Sequence, residues 1–96
     1  MSRVNDKTLK EAMEQLLNVY RLKGKFNETF AIDSWEAVVG KAVANRTKEI
    51  FIRDKKLFLR IESSVVKNEL NMMRDQIIER LNEKSGATVI SEIVFL

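Results

Sequence analysis

With 96 residues the chain suits one domain spanning residues 1–96 and leaves no room for two. It contains no Cys and no His, which removes disulfides, the usual ligands of structural zinc, the commonest general base and the most easily activated nucleophile. The net charge is a modest +3, and no apolar run approaches the roughly 18 residues of a membrane span, so a cytoplasmic protein that is neither enzyme nor cofactor carrier is expected.

Taken in chain order, Leu9, Met13, Leu16, Leu17 and Tyr20 recur at helical spacing. They predict an amphipathic helix over about residues 6–22, with Asp6 as N-cap and Gly24 as stop. Arg21, Lys23 and Lys25 would then suit the negative end of its dipole. A second helical region carries Phe26, Phe30, Trp35, Val38 and Val39. Its register slips between Phe30 and Trp35, which predicts an irregularity near Asp33-Ser34, with Ser34 capping a fresh helix. Gly40 either ends that helix or permits close packing, and residues 41–44 extend it by a turn.

The period then changes from 3.6 to 2. Residues 49–53 and 57–62 alternate and read as a hairpin around Asp54-Lys55 or a slightly longer turn. A two-residue turn pairs Ile52 with Leu57, Phe51 with Phe58, Ile50 with Leu59 and Glu49 with Arg60. That register puts Ile50, Ile52, Leu57, Leu59 and Ile61 on the core face and leaves the two Phe side by side on the other. Ser63 or Ser64 caps a long helix reaching about Lys84, with Val66, Leu70, Met73, Ile77 and Leu81 as its apolar stripe. Met73 belongs to that stripe and Met72 lies off it. Ser85-Gly86 ends the helix, and residues 88–95 form a last strand parallel to the second strand of the hairpin. The fold class is α+β, in the order ααββαβ, with helices on one face of a three-stranded sheet.

Charge is concentrated on the hairpin. Residues 41–60 hold Lys41, Arg46, Lys48, Arg53, Lys55, Lys56 and Arg60 against Glu49 and Asp54, a local +5 that leaves −2 elsewhere. Such a field attracts polyanions, although charge runs also serve simply to solvate a surface. Phe51 and Phe58 share a strand face with Arg53, Lys56 and Arg60, the combination of stacking and phosphate neutralisation that single-stranded nucleic acid requires. Against this, a covering helix would make both rings ordinary core residues. Trp35, the sole Trp, reads as a packing anchor rather than a stacking platform. The scattered Asp and Glu are interleaved with Lys and Arg, and no phosphate-binding glycine loop occurs.

The same residues resemble the DciA family of bacterial replication proteins. Trp35-Glu36-Ala37-Val38-Val39-Gly40 is similar to the family's Trp followed by Val-Val-Gly, and Arg46-Thr47 stands where it has His-Thr. Leu57-Phe58-Leu59-Arg60-Ile61 matches its Leu-bearing strand. Ser63 through Glu69-Leu70 matches its Ser-led helix, Leu81-Asn82 a further Leu-Asn, and Val89 to Phe95 the closing strand. The chain departs from relatives in having Val66 where a Trp is frequent, no zinc-ribbon cysteines, no tail beyond the final strand and no Gly-x-x-Gly loop of true KH domains. The resemblance implies a KH-like fold, DNA binding, and a role with the replicative DNA helicase in its loading.

The expected partners are single-stranded or duplex DNA, with RNA as a variant, and the replicative helicase, for a protein that is a monomer or weak homodimer with no membrane contact. The expected footprint is Lys41, Arg46, Lys48, Arg53, Lys55, Lys56 and Arg60, with Phe51 and Phe58 stacking. The competing expectation is a protein-binding adaptor or homodimeric module, in which the two Phe bury against another chain.

Overall fold

The computed structural model describes residues 6–19 and 23–96, with the side chains of residues 6, 7, 17–19 and 23 left aside. Six helices and three strands follow in the order α1 (Asp6–Val19), α2 (Lys23–Asp33), α3 (Trp35–Val39), α4 (Lys41–Asn45), β1 (Thr47–Arg53), β2 (Lys56–Ile61), α5 (Ser64–Met72), α6 (Arg74–Ser85) and β3 (Glu92–Phe95). The strands form one sheet in the order β1-β2-β3, antiparallel between the first two and parallel between the last two. This is the expected α+β domain, with two of its helices divided.

The hairpin has the register read from the alternation. Arg53 pairs with Lys56, Ile52 with Leu57, Phe51 with Phe58, Ile50 with Leu59 and Glu49 with Arg60. The register shifts between Thr47 and Glu49, so Thr47 faces Ile61 across an irregularity at Lys48. Asp54 and Lys55 both have positive φ, at 52° and 60°, which closes the two-residue turn whose twist matches the strands. Backbone bonds from Ser91 N–H to the Lys55 carbonyl (2.8 Å) and from Leu96 N–H to the Leu59 carbonyl (2.8 Å) bracket β3.

Leu57, Leu59, Ile61 and Ile52 point to the helical side and are buried with Trp35, Leu70, Ile77, Leu81, Ile90 and Ile93. Leu57, Leu59, Leu81 and Ile90 are almost wholly buried, and each contributes about 1.5–3 kcal/mol of transfer free energy. Trp35 is the anchor expected of it. Its indole N–H donates to Thr47 Oγ1 (3.0 Å), whose hydroxyl donates in turn to the Val43 carbonyl (2.9 Å). One chain of bonds thus joins α3, α4 and β1.

Several local expectations are corrected. Gly24 does not stop the first helix, because it lies in the first turn of α2, and Lys23 and Lys25 therefore sit at that helix's positive end. The capping role of Asp6, the side chain of Leu17, and Tyr20 and Arg21 fall outside the described residues. Ser34 marks the break between α2 and α3, yet makes no side-chain cap; its hydroxyl donates back to the Phe30 carbonyl (2.9 Å). Gly40 ends α3 at φ 93°, so residues 41–45 start a separate short helix.

Ser63 caps as expected, accepting from Val66 N–H (3.3 Å), but the helix it opens breaks at Met73. There φ is −100° and ψ is 11°, and the N–H is shared between the Glu69 and Leu70 carbonyls. The bend lets α5 lie along β2 while α6 reaches α2 and β3. It also turns Met73 out of the core stripe to 45% exposure, beside a fully solvated Met72. Gly86 ends α6 as expected, in a left-handed cap at φ 75°. The final strand is shorter than its β-branched run suggests. Val89 and Ile90 are buried outside the ladder because the Asn82 side chain takes their amides: Oδ1 accepts from both N–H groups (2.9 and 3.1 Å), and Nδ2 donates to the Ile90 carbonyl (2.9 Å).

Candidate nucleic-acid interface

Strand alternation and register build the face opposite the helices as three rows. Glu49 and Arg60 make the first, Phe51, Phe58 and Val94 the second, and Arg53, Lys56 and Glu92 the third. The two rings stack at 4.8 Å between centroids and 10° between planes. Both are partly exposed and stand outside the core cluster, so no helix has made core residues of them. The Arg53 guanidinium lies 5.9 Å from the Phe51 ring centre, within range of a cation–π contact. Arg60 Nε donates to Glu49 Oε2 at 3.0 Å with both side chains about half exposed, the cross-strand pair expected from the sequence.

The predicted basic residues divide into three groups. Arg53, Lys56 and Arg60 flank the rings on the sheet face, and Lys55 occupies the turn beside them. Arg46 and Lys48 gather at the opposite end of the hairpin in a shallow recess with Asn45, Glu62 and Ser63. Lys41 opens α4 in the helical layer. All seven are exposed. β1 is seven residues long, so the two ends stand roughly 20 Å apart. The aromatic row and the cations beside it form the compact part of the candidate site.

Two carboxylates temper its charge. Glu49 is engaged by Arg60, and Glu92 faces Lys56 across the parallel pair. A further cation comes from a distant element. Lys25, at the start of α2, lines an open recess with Glu28, Phe51, Arg53 and Asp54 along the β1 edge. Neither Lys25 nor Glu92 was assigned to the site from the sequence. Both fall outside the charge-rich segment, and only the tertiary fold brings them to the rings. Among the described residues, no three His, Cys, Asp or Glu side chains converge as a metal site, and no helix is long and apolar enough to cross a membrane.

The family model described as "Dna[CI] antecedent, DciA" matches residues 8–95. A UPF0232 protein of Corynebacterium glutamicum (strain R) is 38% identical over 60 residues, covering 62% of this chain and 34% of its own. The chain thus corresponds to about a third of that relative's length. The match takes in every strand and all six helices but the first two residues of α1, and on it this chain belongs to the DciA family, a replication-related family.

Proposed function

We propose that the protein is a nucleic-acid-binding accessory factor of bacterial DNA replication that acts with the replicative helicase, in its loading. The observation that carries the binding part is the stacked, solvent-facing Phe51–Phe58 pair bracketed by Arg53, Lys56 and Arg60. Ring faces give sequence-tolerant stacking for unpaired bases, and the cations neutralise phosphates and release counterions. Lys55 extends the positive edge, with Arg46, Lys48 and Lys41 as outlying contacts. A face that also holds Glu49 and Glu92 binds weakly, in keeping with a factor that hands DNA over rather than retaining it. The helicase part rests on family membership.

The test is fluorescence anisotropy of a labelled single-stranded oligonucleotide titrated across salt. Affinity is expected to fall with a log–log slope of about −0.7 per phosphate contact. Combined Lys55→Glu, Lys56→Glu and Arg60→Glu should abolish binding, whereas reversing Arg80 and Lys84 on α6 should leave it nearly unchanged. A pull-down with the host's replicative helicase, with and without DNA, tests the second half. Absence of salt-sensitive binding to DNA or RNA would favour the adaptor reading, in which the rings meet a protein.

A further inference from the structure

Helices α1 and α2, at the start of the described chain, carry apolar side chains that nothing among the described residues covers. Leu9, Met13 and Leu16 follow one face of α1 at 55%, 43% and 54% exposure. On α2, Phe26 and Phe30 are four residues apart at 48% and 46%, while Ala31 and Ile32 on its other side pack into the core. Helix α2 is therefore apolar on two faces, a pattern that belongs to a helix covered on both. Helix α1 adjoins α2, and its described side chains are exposed apart from the partly buried Glu14. The radius of gyration is 15.5 Å, where a compact chain of this length has about 12.5 Å, and the longest axis is 57 Å, so α1 stands off the body of the domain.

We propose that these side chains form a two-fold interface with a second copy of the same chain, in which α1 and α2 of two protomers pair as a four-helix layer. Area is the first argument. Five large apolar side chains, each about half exposed, leave on the order of 450–500 Å² per copy, at the upper end of what a soluble monomer presents. Two copies bury about twice that before the intervening helix surface is counted, which reaches the ~1,000 Å² minimum of a specific interface. Charge is the second argument. The described residues of α1 and α2 hold Asp6, Glu11, Glu14, Glu28 and Asp33 against Lys7, Lys10, Lys23 and Lys25, a balance of −1. Two such helix pairs meet with little repulsion, whereas the basic sheet face repels its own copy. A self-complementary patch closes with two-fold symmetry and leaves both sheet faces free.

Sedimentation equilibrium of the full chain tests this without nucleic acid, so its outcome is independent of the binding reading. A dimer with micromolar Kd is expected. Leu16→Asp with Phe30→Asp should raise Kd at least ten-fold while helix content and the emission of the buried Trp35 stay unchanged. The chain has no cysteine, so single substitutions report geometry directly. Leu16→Cys should form an intermolecular disulfide on mild oxidation, and Met72→Cys, more solvated but on α5, should do so far less. This pair decides the matter even if the aspartate variant misfolds. A chain that stays monomeric to several hundred micromolar, a dimer indifferent to the aspartates, or equal cross-linking at both cysteines would overturn the proposal.

Discussion

Trp35 and Thr47 show how one residue pair fixes a site at a distance. Thr47 Oγ1 accepts from the indole and donates to the Val43 carbonyl, so its loss leaves a buried N–H unpaired. Thr47→Val should cost about 1–3 kcal/mol in urea unfolding. Trp35→Ala, which also opens a cavity, should cost about 3–5 kcal/mol. At the turn, Lys55 holds a left-handed conformation that glycine adopts without strain. Lys55→Gly should therefore stabilise the fold by ~0.5–1 kcal/mol and still weaken oligonucleotide binding, lowering the salt slope by ~0.7. Opposite signs in the two assays would separate a binding lysine from a structural one. Glu92 faces Lys56 on the candidate interface, so Glu92→Gln should tighten binding roughly two- to five-fold at low salt, a gain that high salt erases.

At the scale of elements, the hairpin was legible because strict alternation allows one register that turns Ile50, Ile52, Leu57, Leu59 and Ile61 to the helical side together, although Ile50 is only partly buried there. The division of the long helix was not. No Gly or Pro stands at Met73, and the break arises because α5 and α6 must meet different partners. The shortened β3 has a similar cause. Its apolar residues were visible, but the competitor for the Val89 and Ile90 amides is a side chain seven and eight residues away, on α6. Asn82→Ala should strip the Ile90 N–H and carbonyl of their Asn82 partner, leave Val89 N–H only its bond to the Ala87 carbonyl, and cost at least ~2 kcal/mol. Asn82→Asp restores the acceptor but not the donor, so it should recover only part of the loss. Amide hydrogen exchange at Val89 and Ile90 would report both directly.

For the whole molecule, the fold separates three surfaces: a helical side that buries the core, a sheet face that carries rings and cations, and the helices α1 and α2, which expose apolar residues. The sequence disclosed the second through charge density and alternation. It did not disclose Lys25 or Glu92, which come to the rings from α2 and β3. Nor did it separate Lys41, on the helical layer, from the cations beside the rings, since proximity along the chain does not specify a face. Binding of nucleic acid to the sheet face opposite the helices is tested by a two-dimensional ¹H–¹⁵N NMR titration of the labelled protein with a short single-stranded oligonucleotide at low salt. Perturbations are expected to cluster at Phe51, Arg53, Lys56, Phe58, Arg60 and Val94 and to vanish as salt rises. A spectrum that does not change, or shifts confined to α3 through α6, would contradict it.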